Sequence, residues 1–144
     1  MKTQTTDVIV IGLGPAGASA AAAAARRGAK VIALDRKREA GVPVQCAELV
    51  PALIDADVAL AVRQRIDAMA TFVEDDAPDL QPNFPGKMLD RAAFDAGLVE
   101  RAAQAGAEVR FCAKVSRIDS RGRVELADGT ALRAPVLIGA DGPR

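Results

Sequence analysis

Asp7-Val8-Ile9-Val10-Ile11-Gly12-Leu13-Gly14-Pro15-Ala16-Gly17 is the stretch that decides how the chain folds. Its first half is an unbroken β-branched apolar run, the pattern of a strand buried on both faces of a parallel sheet. Its second half turns through glycines into a helix. Pro15 suits the first helical position, where its missing N–H costs nothing, and Ala16 to Arg27 has high helix propensity before Gly28 ends it. Lys30 to Asp35 (KVIALD) then reads as a second strand, which completes a βαβ unit over residues 6–35. Gly12, Gly14 and Gly17 occupy the glycine positions of G-x-G-x-x-G. The first permits the tight turn, the second lets the backbone approach a pyrophosphate, and the third lets helix and strand pack closely, with the diphosphate at the helix N-terminus. Asp35 follows Gly12 by 23 residues, at the end of the second strand, where a carboxylate can accept hydrogen bonds from an adenosine ribose. That placement favours a free 2′-hydroxyl over a 2′-phosphate, although Arg36, Lys37 and Arg38 beside it complicate the choice. Glycine spacing leaves FAD and NAD both open.

Composition narrows the chemistry further. The 144 residues, 14.9 kDa, are enough for one domain with a sizeable core. Nineteen Lys+Arg balance nineteen Asp+Glu, so no charge surplus suggests a nucleic acid or an anionic membrane as partner. Half of the residues are apolar but 31 are alanine, and four Phe supply all the aromatic bulk. Close backbone packing must therefore replace large side chains. With no His, a Ser-His-Asp triad, a Cys-His pair and every His-containing zinc site are excluded from these residues. Cys46 and Cys112 stand 66 positions apart without a CxxC partner, so neither a metal site nor a disulfide is expected, and Cys112 is assigned to packing. Met1 to Asp7 lacks the features of a signal peptide, and the longest apolar runs, Val8 to Leu13 and Ala20 to Ala25, fall far short of the roughly 20 residues that span a bilayer. A soluble, cytoplasmic protein with no transmembrane segment is expected.

Beyond the βαβ unit, residues 36–106 read as a connecting and helical region and residues 107–144 as a strand, a β-meander and a final strand. Arg36 to Val44 is expected to be a loop at the carboxyl edge of the sheet, Leu49 to Ala61 a short helix interrupted near Pro51, Arg65 to Val73 a strand, and Asp75 to Lys87 a proline-rich loop. Asp90 is the N-cap of a helix over Arg91 to Ala105 that places Phe94, Leu98 and Ala102 on one stripe and stops at Gly106. Ala107 to Ala113 reads as a strand. Val115 to Ile118, Arg123 to Ala127 and Thr130 to Arg133 form the meander, with tight turns at Arg121-Gly122 and Asp128-Gly129. Pro135 to Gly139 is one more buried strand. The fold class is α/β: a Rossmann-like FAD/NAD(P)-binding fold with a parallel sheet and a small β-meander.

A long connection after Asp35 and a meander before the last strand resemble the two-dinucleotide-fold flavoproteins of the para-hydroxybenzoate hydroxylase-like group. Three further segments sharpen the resemblance: Pro43-Val44-Gln45-Cys46-Ala47-Glu48, Met88-Leu89-Asp90-Arg91-Ala92-Ala93-Phe94-Asp95 and Ile138-Gly139-Ala140-Asp141-Gly142-Pro143-Arg144. Together with the glycine turn they are similar to the geranylgeranyl reductase family of flavoproteins, matching its amino-terminal part. A full member would continue through a second FAD motif and a substrate-binding sheet, and the chain is expected to be truncated before both.

The resemblance implies that Gly12, Gly14 and Gly17 with Ala16 hold the FAD diphosphate and that Asp35 binds the adenosine ribose. It implies that Cys46 and Ala47 approach the ribityl and ring portions of FAD; the alternative for Cys46 is a small buried apolar residue. Arg91 matches the arginine of the family's R-x-x-F-D helix and reaches toward the cofactor, against the alternative of a solvated first-turn arginine. Val115 lies beside the adenine or is simply a core residue, and Asp141 belongs to an Asp-Gly motif near the diphosphate or has a structural role. No catalytic residue is assigned and no metal is expected. The implied activity is hydride transfer from reduced FAD to a carbon–carbon double bond of a geranylgeranyl or other isoprenoid substrate, with NAD(P)H or another electron donor. Such a protein would be cytoplasmic, peripheral at the membrane where the substrate is a prenyl lipid. An aromatic monooxygenase, an NAD-binding dehydrogenase fragment and a non-catalytic remnant stand as alternatives. The isolated chain is expected to bind FAD weakly or not at all and to lack turnover unless a second polypeptide completes it.

Overall fold

The computed structural model describes residues 3–54, 61–74 and 76–142. The chain divides into two compact units, residues 1–42 with 95–144 and residues 43–94.

In the first unit β1 (Gln4–Thr5) precedes β2 (Val8–Ile11), and α1 (Pro15–Arg26) leads to β3 (Val31–Leu34). The second unit holds β4 (Leu49–Pro51), β5 (Val62–Ile66), β6 (Met69–Thr71), β7 (Asp79–Gln81) and β8 (Gly86–Leu89). It also holds the first turn of α2 (Arg91–Gln104), which runs on into the first unit. There follow β9 (Glu108–Arg110), β10 (Val115–Ile118), β11 (Arg123–Leu126), β12 (Ala131–Arg133) and β13 (Val136–Gly139).

A four-stranded parallel sheet in the order β13-β2-β3-β9 forms the middle of the first unit. Side chains alternate across a strand, and in β2 and β3 both sets are buried, whereas β13, expected as a buried strand, is an edge of this sheet and exposed or half-buried along its length. Val8, Val10, Val31 and Ala33 pack with Ala18, Ala21, Ala22 and Ala25 of α1 and with Val99 and Ala102 of α2. Ile9, Ile32 and Leu34 pack on the opposite face with Val124, Leu126 and Leu132. Those last three belong to the sheet β1-β12-β11-β10, so the unit is helix, parallel sheet and meander in three layers. The alanine tract of α1 has a packing cause: Ala18 and Ala21 are 0 % exposed and pack with the valines of β2 and β3.

The local signals operate as expected at most boundaries. Pro15 stands in the first turn of α1, and both helices end in six-residue backbone closures, Ala29 N–H to the Ala24 carbonyl and Ala107 N–H to the Ala102 carbonyl, over Gly28 (φ +86°) and Gly106 (φ +101°). Asp90 caps α2, its Oδ1 accepting from the Ala93 N–H at 3.0 Å. The Asp119 and Asp128 carboxylates accept from the amides of Arg121 and Thr130, each at 2.8 Å, which closes the two meander turns.

The polar start of the chain, for which no element was expected, contributes β1, paired in parallel with β12. Four expectations of element type or bounds need correction. Leu49 to Pro51 is a strand and not the start of a helix; Pro51 is tolerated because β4 is an edge of the sheet β4-β8-β5, where a missing N–H removes no obligatory ladder bond. Residues 55–60 of that expected helix lie outside the described residues. The strand expected over Arg65 to Val73 is two, β5 and β6, and the loop expected over Asp75 to Lys87 contains β7 and the start of β8. Pro78 and Pro82 flank β7, and Pro85 precedes β8, so the prolines delimit strands rather than exclude them. Finally, β9 stops at Arg110 because Cys112 takes a left-handed conformation (φ +56°) that carries the chain out of the parallel sheet toward the meander.

Candidate cofactor site

Parallel register places three chain segments side by side. Ile11 is opposite Leu34 on one flank and Gly139 on the other, so Gly12, Asp35 and Ala140 each follow a strand end at the same carboxyl edge. That edge, where connections leave neighbouring strands in different directions, is where open α/β sheets bind ligands.

The three glycines there have different reasons to be glycine. Gly12 has φ +99°, and a Cβ on it would run into the Ala140 carbonyl and lie 2.8 Å from the Asp141 Cα. A Cβ on Gly17 would overlap the Gly12 carbonyl oxygen and come within 3.2 Å of the Ala140 Cβ. Protein packing alone therefore demands both. Gly14 is the N-cap of α1 with φ −70° and ψ −176°, extended backbone that any residue adopts, and a Cβ on it would meet nothing within 4 Å. No neighbouring protein atom requires glycine there. The space it leaves lies at a helix N-terminus with no side-chain cap, where the first N–H groups lack partners within the helix and the helix dipole favours an anion. Ala16, in that first turn, is exposed. This arrangement suits a diphosphate.

Asp35 stands one residue beyond β3, half-buried. Its Oδ2 accepts from the Leu13 N–H and its Oδ1 from the Lys37 N–H, both at 2.8 Å. Its carbonyl accepts from the Ala113 N–H at 2.8 Å, and the Cys112 N–H donates to the Lys37 carbonyl, also at 2.8 Å. Those bonds bring the start of β10, and with it Val115, to the Asp35 side of the edge. Val115 packs partly buried against the core under the meander. Asp141 is exposed, beside Gly12 at the other flank, and Pro143 and Arg144 of its motif lie outside the described residues.

Cys46, Ala47 and Arg91 belong to the second unit. Cys46 is an exposed free thiol, so the buried alternative for it does not hold. Arg91 is 9 % exposed and is no solvated first-turn residue: its Nη1 donates to the Ala47 carbonyl at 3.1 Å, and its Cζ lies 5.8 Å from the Phe94 ring centroid. Arg91 thus holds the Cys46-Ala47 segment. Lys87 on β8 is a second buried cation that sequence reading did not single out. Cys112 is also an exposed free thiol, which corrects its assignment to packing. The contact most hidden from sequence reading is the Leu13 amide on Asp35, since no side-chain pattern encodes it. Asp90, which caps α2 and pairs with Arg63, is held below the usual carboxylate range, chiefly by the Ala93 N–H and then by Arg63.

Among the described residues no helix is long and apolar enough to cross a membrane. A family model described as Glucose inhibited division protein A matches residues 7–75. An uncharacterized protein in the nifH2 5′ region of Methanosarcina barkeri is 36% identical over 95% of this chain and 82% of its own length. Digeranylgeranylglycerophospholipid reductase 1 of Methanopyrus kandleri is 40% identical over 94% of this chain and 39% of its length. The crystal structure of a geranylgeranyl bacteriochlorophyll reductase-like protein from Thermoplasma acidophilum superposes with a TM-score of 0.85 at 28% identity, covering 98% of this chain and 40% of the other. The chain thus spans about two fifths of the length of that reductase and of that structure. With its glycine turn, its acid at the end of β3 and its parallel sheet backed by a meander, the chain belongs to the geranylgeranyl reductase family of FAD-dependent oxidoreductases.

Proposed function

We propose that this chain is the FAD-binding part of a flavin-dependent reductase that saturates carbon–carbon double bonds of a geranylgeranyl or related isoprenoid substrate. The observation that carries the cofactor assignment is the open space at Gly14, above an uncapped helix N-terminus, in a turn whose other two glycines the protein itself requires. Gly12, Gly14, Ala16 and Gly17 present small residues and backbone N–H groups to the diphosphate. Asp35, although it already accepts two amides, has further lone pairs for the ribose hydroxyls. Val115 offers its main chain to the adenine, and Asp141 approaches the diphosphate from the flank of Gly12. Cys46 and Ala47 offer small exposed residues to the ribityl and ring portions, with Arg91 fixing their backbone. FAD, once reduced by NAD(P)H or another donor, supplies the hydride, and the protein's part is to bind and orient it. The isoprenoid substrate is supported by the names of the reductases this chain resembles. A prenyl-lipid substrate would bring an otherwise cytoplasmic protein to the membrane surface.

The test has two arms. Titration of the protein that contains this chain with FAD and NAD should show preference for FAD, and that protein should reduce a prenyl double bond without oxygen. Preference for NAD would replace the reading with a nicotinamide dehydrogenase, and turnover only with oxygen would replace it with a monooxygenase.

A further inference from the structure

The carboxylate of Asp35 is tied to more than a ribose would require. Its two oxygens accept the amides of Leu13 and Lys37, each at 2.8 Å. Its own N–H donates to the Arg110 carbonyl at 2.9 Å, and its carbonyl accepts from Ala113 at 2.8 Å. Asp35 is therefore fixed at both backbone and side chain. Leu13 lies between Gly12 and Gly14, and its side chain is 2 % exposed in the core under α1. With that side chain anchored on one side and its amide bound on the other, the Gly12–Leu13 peptide is held in place and the chain enters Gly14 from a fixed residue.

Resting on the dinucleotide-binding reading, we infer that Asp35 is a positioning residue for the diphosphate turn as well as the ribose acid: its carboxylate holds Leu13 so that the Gly14 backbone faces the ligand. The carboxylate suits this role because both of its oxygens accept. An asparagine would offer one acceptor and one NH2, so that a donor would face the amide of Leu13 or of Lys37. A bond from an amide to a charged acceptor is also among the stronger hydrogen bonds. Loss of the carboxylate should therefore weaken binding of the diphosphate itself, even in a ligand that offers no ribose hydroxyls.

The experiment compares wild type with Asp35→Asn in the protein that contains this chain, using ADP and 2′,3′-dideoxyadenosine diphosphate as probes, with binding read from amide chemical shifts at millimolar ligand. The ribose role makes the preference for ADP over the dideoxy nucleotide collapse in the variant. The positioning role adds a separate loss, about fivefold to tenfold in affinity for the dideoxy nucleotide. Equal dideoxy-nucleotide affinity in the two proteins overturns the inference and leaves the ribose role standing. Failure of wild type to bind either nucleotide overturns the dinucleotide reading, and the inference falls with it. Hydrogen exchange on the ligand-free chain supplies a readout that needs no ligand: the Leu13 amide should exchange at least about tenfold faster in the variant while Val10 and Ala33 stay protected. Unchanged Leu13 exchange overturns the inference, and faster exchange at all three overturns it in favour of a general loss of stability. Should Asp35→Asn not fold, Asp35→Ala, in which water can reach both amides, carries the same comparisons.

Discussion

Gly14→Ala and Gly17→Ala separate the two reasons for which a glycine can occupy this turn. At Gly14 the backbone is extended and a Cβ meets nothing within 4 Å. The substitution removes freedom from the unfolded chain, a gain of about 0.4–1 kcal/mol. It also replaces a tolerated N-cap by a poor one, at a cost of about 1 kcal/mol. The two nearly cancel, so the variant should fold within about 1 kcal/mol of wild type. At Gly17 the added methyl overlaps the Gly12 carbonyl oxygen, and the obstacle is backbone rather than the end of a flexible side chain. Helix and turn must part, which costs about 3 kcal/mol or more. For a chain of this size each kcal/mol moves Tm by roughly 2–4 °C. Thermal melts followed by circular dichroism should then place Gly17→Ala about 6–12 °C below wild type and Gly14→Ala within about 4 °C of it. Nucleotide titration should give a different ranking, because the Gly14 methyl stands where the diphosphate must approach. ADP affinity should fall at least about tenfold, 1.4 kcal/mol, in a fully folded protein. Gly14→Ala that melts and binds like wild type would refute the diphosphate assignment. Gly17→Ala that melts with wild type would refute the argument from close approach.

Three other outcomes are expected. Arg91→Met leaves the Ala47 carbonyl without its donor and removes a buried guanidinium, so the urea midpoint should fall by the equivalent of about 1–3 kcal/mol, with only partial recovery in Arg91→Lys, which lacks the planar fork; an unchanged midpoint would dissociate Arg91 from the Ala47 segment. Cys112→Gly should stabilise by about 0.5–1 kcal/mol by relieving a left-handed residue, while Cys112→Val destabilises, and the wild-type thiol should react with Ellman's reagent in the folded chain. Asp90, Asp119 and Asp128 are each held below the ordinary value of 3.8, first by the backbone N–H groups of Ala93, Arg123 and Thr130 respectively. A depressed folded value means that their contribution is fully present well above pH 3.8 and is lost as pH falls through the folded values, so Tm should drop below about pH 4 and drop less in Asp90→Asn; parallel acid profiles for wild type and variant would exclude Asp90.

The sequence was legible where the burial pattern is regular. Val8 to Ile11 and Val31 to Leu34 face a helical layer on one side and the meander on the other, so an unbroken apolar run could mean only a strand covered twice. Residues 43–94 carried no such signal. There β5, β6 and β7 are exposed along most of their length, with Leu80 of β7 66% exposed, and strands with no buried face leave no alternation to read. What holds them is backbone pairing, Met69 with Gln81 and Ile66 with Gly86, which side-chain chemistry hardly records. Arg91 was recognisable as a special position from the R-x-x-F-D pattern. That it grips the Ala47 carbonyl was not, because one arginine serves equally well for a cofactor, a carbonyl or the solvent.

The same distinction bears on how much a glycine motif says about a ligand. Gly12 and Gly17 are fixed by the approach of Ala140 and of each other, so a protein that had never bound a nucleotide would still need both to pack this sheet edge. Their presence identifies the fold. Specific information about a ligand is concentrated in Gly14, which no neighbouring protein atom demands, and in the acid at Asp35. Those two are joined through Leu13, the residue between the outer and the middle glycine. A relative that kept Gly12 and Gly17 but lost Gly14 and the acid should therefore keep the three-layer unit and lose the dinucleotide, and a cofactor assignment resting on the outer glycines alone would be wrong for it.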